Sequence, residues 1–261
     1  MDRPVALVTG AARGIGAATV RRLRTEGYAV CALDVATGGD HGLPGVGYDL
    51  ASRAELDGQS ADDVLTVVAD VRDPAALEEA ADRTVAAYGR LDVAVAAAAV
   101  VVGGQPLWKT PAAHLETLWA VDVLGVQHLA AATVPRMLAG RDPSRGRFVA
   151  VASAAGSRGL FHLAAYSAAK HAVVGLVRGL AADLVGTGVT ATAVSPGATD
   201  TAMLAATADL YGVTPADLAG SQLLREPLDP DEVAAVVAFC CSPEGRALNG
   251  SVVAADGGFA G

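Results

Sequence analysis

Residues Val5 to Thr9 are a short apolar run, followed by Gly10-Ala11-Ala12-Arg13-Gly14-Ile15-Gly16 and then by an amphipathic stretch ending near Gly27. An apolar strand that turns on glycines straight into a helix is the opening unit of a parallel α/β fold, which leaves few architectures open. Gly10 is expected to permit the tight turn, Gly14 to let the backbone approach a pyrophosphate, and Gly16 to let the helix pack closely on the strand. The start of the helix would then face phosphate oxygens with unpaired N–H groups and a partial positive charge. A glycine turn alone has a plain reading as a loop. Its place between strand and helix favours dinucleotide binding.

The next apolar run, Ala29 to Leu33, ends in Asp34, at the distance where a carboxylate accepts hydrogen bonds from adenosine ribose hydroxyls. That charge would repel a 2′-phosphate, so NAD is favoured over NADP even though Arg13 could meet a phosphate. A third strand over Val64 to Ala69 is closed by Asp70-Val71, whose carboxylate could reach an adenine amino group. Further strands are expected over Leu91 to Ala98, Phe148 to Ala152, Val189 to Val194 and Val252 to Ala255, with Ser195-Pro196-Gly197 breaking the sixth sharply. The expected fold is a single-domain, Rossmann-type, doubly wound parallel sheet of about seven strands with helices on both faces. A hydrophobic content of 52% with only 4% aromatic residues suits such an interior of Val, Ala and Leu.

Ser153 falls where the fifth strand ends and a loop opens on the sheet's carboxyl edge, the edge on which ligand crevices form. Tyr166 and Lys170 are four apart in an alanine-rich, proline-free segment, which puts both on one helix face. A free phenol has a pKa of about 10, and a neighbouring ammonium is expected to draw it toward working pH. Such a tyrosine can exchange a proton with a substrate hydroxyl, while Ser153 holds the same oxygen. A lone Tyr-x-x-x-Lys is weak evidence; the glycine turn upstream gives it weight. Thr199 and Thr201, after Pro196-Gly197, lie within reach of a nicotinamide carboxamide.

Asp73-Pro74 and Asp229-Pro230 with Glu232 read as helix starts, and a long helix is expected from Thr110 to about Ala139 with Asp122 in its middle. Between Asp34 and Val64 the crossover helix is poorly written, because residues 36–50 carry five glycines and Pro44; only Ser52 to Leu56 looks helical. Residues 200–226 read as short helices over the substrate side. Trp108, Ala155, Leu160, Phe161, His162, Met203 and Leu204 are candidates for an apolar substrate pocket. The net charge of −9 argues against nucleic acid and anionic membranes as partners. No apolar run approaches a membrane span, and Met1 to Pro4 leads straight into a strand, so no signal peptide is expected. Three cysteines give no disulfide framework and suggest a cytoplasmic setting; five histidines show no metal-ligand spacing, so no metal is expected.

With these pieces in order, the chain from Thr9-Gly10 through Asp256 resembles the short-chain dehydrogenase/reductase family. The resemblance implies that Ser153 orients the substrate oxygen, Tyr166 is the acid/base, and Lys170 binds the nicotinamide ribose and lowers the tyrosine pKa. It also implies cofactor contacts at Ile15, Val71 and Ala97, and a homotetramer built partly through the helices starting at Thr110 and Leu163. Two positions depart from the family pattern. Ala96-Ala97-Ala98-Ala99 stands where the family has Asn-Asn-Ala-Gly, so bracing of the central sheet must come from elsewhere. Asp122 stands where the family has an asparagine that holds a water in the proton relay.

The loop with Leu43-Pro44, Tyr48-Asp49-Leu50 and Ala54-Glu55-Leu56, the string Val95 to Val100, and Val102 to Trp108 are similar to the mycofactocin-associated subgroup. That similarity implies an insertion at about 36–62 covering NAD and non-exchangeable NAD reoxidised in place by the peptide-derived carrier mycofactocin; the substrate-side lid at about 200–226 is read from the residues themselves. Two other readings stay open: a carbonyl or 3-oxoacyl reductase with exchangeable NAD(P)H, and a nucleotide-binding regulator that has lost catalysis.

Overall fold

The computed structural model describes residues 3–39 and 41–259. At its centre lies a parallel sheet of seven strands in the order β3-β2-β1-β4-β5-β6-β7. The strands are β1 (Val5–Thr9), β2 (Ala29–Asp34), β3 (Val64–Val68), β4 (Val93–Ala96), β5 (Arg147–Val151), β6 (Thr190–Pro196) and β7 (Val252–Ala255). The chain starts in the middle, winds outward to β3, returns to β4 and winds out the other way. The switch point therefore falls between β1 and β4, where a crevice opens beyond the strands' carboxyl ends.

Alternation along the strands divides the interior into two layers. Ala6, Val8, Val30, Val95 and Val149 point to one face, which is covered by α1 (Gly14–Thr25) and α9 (Pro230–Cys241) through Val20, Leu23, Val233 and Val237. Leu7, Leu33, Ala94 and Phe148 point to the other, under α3 (Pro74–Tyr88), α5 (Gly125–Leu138) and α6 (Ala164–Asp183), which contribute Leu77, Leu129 and Val173. Burial on both faces is why these strands read as continuous apolar runs.

Helix starts follow the local chemistry. Ser52 and Glu55 form a capping box at α2 (Arg53–Asp57), the Asp73 carboxylate accepts from the N–H groups of Ala75 and Ala76 at α3, and Asp229 with Glu232 boxes α9. Two elements differ from expectation. The long helix after Thr110 is α4 (Ala112–Leu118), then a π-helical turn over Trp119–Leu124, then α5. β6 does not break at Ser195 but runs through Pro196, opposite Ala255; at this last position the missing N–H costs no interior rung, and the Gly197 N–H points to the Ala255 carbonyl at 3.4 Å. The run Ala112–Leu138 is long and apolar enough to cross a bilayer, which the sequence reading did not anticipate. With 61% of its most apolar window buried inside the fold, it is a core element here.

Candidate active site

A cleft of about 860 Å³ opens over the carboxyl ends of the central strands. The glycine turn, Asp34, Asp70-Val71 and Ala97 line it together with Pro196, Gly197, Thr199, Thr201, Ser153, Tyr166 and Lys170. Gly10 has φ +64°, and a Cβ there would meet the Ala98 nitrogen at 2.7 Å; a Cβ on Gly16 would fall 2.0 Å from the Gly10 carbonyl oxygen. These two glycines are thus required by backbone against backbone. Gly14, with φ +57°, lies against the Thr201 methyl. α1 begins without a side-chain cap and with no acidic residue in its first turn, so its first N–H groups remain available to an anion in the cleft.

The Asp34 carboxylate accepts from the N–H groups of Ala12 (3.1 Å) and Ala36 (3.3 Å). Burial pushes its pKa up, and those N–H groups oppose the shift. Oxygen lone pairs left over from two backbone donors can still take ribose hydroxyls. Asp70 is drawn to Arg72, whose Nε and Nη2 lie 2.8 and 2.5 Å from one carboxylate oxygen. Arg13 turns away from a purely phosphate-facing role: its Nη2 donates to the Asp49 carbonyl at 2.5 Å, joining the glycine turn to the irregular segment 36–52.

At the other end of the cleft, the Ser153 hydroxyl accepts from the Ala155 N–H at 3.1 Å. The Lys170 Nζ stands 5.6 Å from the centre of the Tyr166 ring, 3.4 Å from the Val151 carbonyl and 3.2 Å from Asp122 Oδ2. The expected acidic phenol is not what this arrangement gives. Burial raises the Tyr166 pKa above its ordinary value, and Asp122 adds to the rise; the pull of Lys170 and the hydrogen bond from Ser153 are too small to reverse it.

The sequence model of the family described as enoyl-(acyl carrier protein) reductase matches residues 10–260. Over 259 residues the chain is 35% identical to cis-4-hydroxycyclohexanecarboxylate dehydrogenase of Sinomonas cyclohexanicum, covering 98% of this chain and 96% of that protein. The chain belongs to the short-chain dehydrogenase/reductase family. It is accordingly an oxidoreductase of CH–OH groups. It is also 36% identical over 211 residues to (-)-trans-carveol dehydrogenase of Rhodococcus erythropolis, covering 78% of this chain and 74% of that one. Among solved structures, carveol dehydrogenase from Mycobacterium avium in complex with NAD superposes with a TM-score of 0.88 at 30% identity, covering 98% of this chain and 96% of that chain.

This short-chain dehydrogenase/reductase replaces the bracing lost at Ala96–Ala99 with three acceptors from elsewhere. The Thr9 hydroxyl accepts from the N–H groups of Ala97 (3.1 Å) and Ala98 (3.2 Å), Asp122 Oδ1 from Val100 (2.9 Å), and the Tyr48 hydroxyl from Val101 (3.1 Å). None of the three was assigned this role from sequence, where Asp122 was expected in the proton relay, Tyr48 entered only with the loop's resemblance and Thr9 only as the end of a strand. Asp122 does not reach the cleft. It is fully buried with its Oδ2 against the Lys170 ammonium, so it stands behind the lysine and not beside a reacting oxygen.

The substrate side also needs correction. Leu160, Phe161, Met203 and Leu204 line the cleft, but Trp108, Ala155 and His162 do not. Trp108 is 84% exposed on a short 3-10 turn, and Ala155 is packed in the core. His162 takes φ +54° and stacks on Phe161 with ring centres 3.8 Å apart, while its carbonyl accepts from the Gly104 N–H. Tyr211, missed from sequence, lines the cleft and donates its hydroxyl to the Phe161 carbonyl. Among the described residues no cluster of metal-ligating side chains occurs.

Proposed function

We propose that the protein is an NAD-dependent alcohol dehydrogenase in which Tyr166 exchanges a proton with the substrate hydroxyl. The observation that carries this reading is one cleft with Ser153, Tyr166 and Lys170 on its wall at one end and the glycine turn with Asp34 at the other. The uncapped α1 terminus suits a pyrophosphate, and the Asp34 carboxylate suits ribose hydroxyls and disfavours a 2′-phosphate. Bound NAD would supply the acceptor for the hydride that leaves the alcohol carbon. Ser153 would hold the alcohol oxygen, Tyr166 would take its proton as the C=O bond forms, and Lys170 would hold the nicotinamide ribose. Thr199 and Thr201 would serve the carboxamide, and Asp70, Val71, Ile15 and Ala97 the adenine half.

The substrate side of the cleft is built of Leu160, Phe161, Met203, Leu204 and Val213, which supports a neutral, apolar primary or secondary alcohol. The segment 36–52 is tied down by Arg13, Tyr48 and Thr117. This supports a covered, non-exchangeable NAD; its reoxidation in place by mycofactocin is proposed on the loop's resemblance alone. A groove between α5 and α6 lined by Val126, Ala130, Val134, Leu176 and Leu180 lies on the two helices expected at a subunit interface, and the homotetramer is proposed from that expectation.

Tyr166→Phe is expected to lower turnover by about 10²-fold or more while NAD stays bound; turnover close to that of the unmodified protein would end the assignment. Mass spectrometry after dialysis tests the covered cofactor. Retained NAD is expected, and its complete loss would move the reading to a reductase with exchangeable NAD(P)H.

A further inference from the structure

The ion pair behind the cleft is where this chain does something its family pattern does not require. Asp122 is fully buried, and its side chain enters the interior from the π-helical turn Trp119–Leu124, where the helical register slips between α4 and α5. One oxygen accepts from the Val100 N–H at 2.9 Å. The other has no directional hydrogen bond and lies 3.2 Å from the Lys170 Nζ. Lys170 is itself nearly inaccessible, and its ammonium has Asp122 and the Val151 carbonyl as polar neighbours, with the Tyr166 ring centre at 5.6 Å. A carboxylate held that close in a buried setting is the dominant electrostatic partner of the ammonium.

We propose that Asp122 is a positioning residue that acts through Lys170, pairing with the ammonium from behind the cleft so that less of its charge reaches the Tyr166 hydroxyl. The inference rests on Tyr166 being the acid/base. The ionisable groups around it are few. Lys170 lies on the same helix, Tyr48 belongs to the segment 36–52, and Arg13 acts on Tyr48 from the glycine turn. Tyr48 is held neutral by burial, which raises its pKa, so it contributes no charge. Asp122 and Lys170 therefore decide the field at the phenol. The two partners pull on each other: burial alone would lower the Lys170 pKa and the Asp122 carboxylate reverses this, leaving it raised, while burial raises the Asp122 pKa against the opposing pull of Lys170 and the Val100 N–H; the 3.2 Å contact between the two groups is what carries the pairing. The functional consequence is that the phenolate forms at higher pH than it would beside an unpaired ammonium, so alcohol oxidation, which needs the phenolate, gains rate as pH rises.

The sign follows directly. Removing the carboxylate charge leaves the ammonium's field undivided at Tyr166, so the phenolate forms at lower pH. Asp122→Asn keeps the size of the side chain and an oxygen for the Val100 N–H. Single-turnover alcohol oxidation, followed by the absorbance of reduced nicotinamide, is measured against pH for the protein and for this variant. The rising limb is expected to move to lower pH by about one unit, which is roughly tenfold in rate at a fixed pH on that limb. A limb that stays in place or moves to higher pH overturns the proposal.

Should that variant not fold, Asp122→Ser, which keeps an oxygen but carries no charge, is read by the same limb: a move to lower pH is expected, and a limb that stays in place or moves to higher pH overturns the proposal. The underlying reading fails separately, by Tyr166→Phe retaining turnover. An inactive Tyr166→Phe with an unmoved limb in Asp122→Asn removes the role of Asp122 alone.

Discussion

The described residues of 36–52 contain no helix or strand, whereas residues 202–219 are almost entirely the helices α7 (Ala202–Tyr211) and α8 (Pro215–Ala219); both segments line the cleft. The irregular one is fixed to three separate parts of the protein. Its Asp49 carbonyl accepts from Arg13, its Tyr48 hydroxyl accepts from the Val101 N–H, and its Pro44 carbonyl accepts from the Thr117 hydroxyl at 3.0 Å. The helical one is nearly self-contained. Thr201 caps α7, Thr214 and Asp217 box α8, and among the described hydrogen bonds of residues 202–219 only Tyr211 to the Phe161 carbonyl leaves the neighbourhood. Its apolar contacts are a small cluster of Ala198, Leu204 and Ala219, together with Met203, Ala206 and Tyr211 packed on the main core.

The contrast teaches that regularity and immobility are different properties. A helix satisfies its own backbone and can move as a unit, while a stretch without repeating structure must find partners in the rest of the fold, and those partners hold it. The cofactor side of the cleft is therefore held by hydrogen bonds to remote parts of the fold, and the substrate side mainly by its own helices and apolar packing.

The strongest way to break that comparison is at Gly45. It has φ +83°, and a Cβ there would lie 2.6 Å from both Val102 and the His114 ring. Gly45→Ala combines a disfavoured backbone with overpacking and is expected to cost roughly 2–5 kcal/mol, read as a fall in thermal midpoint accompanied by loss of retained NAD. A variant as stable as the parent that keeps its NAD would show that the segment is not wedged. Tyr48→Phe should act next most strongly. It strips the Val101 N–H of its acceptor, at about 1–3 kcal/mol, and speeds NAD release; unchanged retention in a dialysis time course would argue that Tyr48 holds nothing. Tyr211→Phe should have the smallest effect, below about 1 kcal/mol. It is expected to raise the substrate KM a few-fold at unchanged NAD retention, and a loss of NAD instead would erase the distinction between the two sides.

Much of the architecture was legible because it rests on local rules. Gly10 and Gly16 were assigned as backbone necessities, and their missing Cβ atoms prove to be demanded by the Ala98 nitrogen and the Gly10 carbonyl. Ser52, Asp73 and Asp229 cap their helices as their side chains dictate. The π-helical turn was not legible, because nothing in Trp119–Leu124 forbids an ordinary helix; the slip is settled by what surrounds it. Trp108 and His162 were misplaced for a related reason, since an aromatic or polar side chain near a site in sequence carries no direction until the loop is built. Tyr48 was noted only as part of a resemblance, and Thr9 as the end of a strand.

From the order of its residues this chain determined a central parallel sheet, a glycine turn opening on a helix, and a serine, tyrosine and lysine delivered to one edge, because strand alternation, capping and helical spacing act between near neighbours. Only the tertiary structure decided the burial that raises the tyrosine's pKa, the pairing of Asp122 with Lys170 and the anchoring of residues 36–52. Electrostatics and hydrogen bonding depend on distance and burial in space, and those quantities exist only once segments remote in the chain have been packed together.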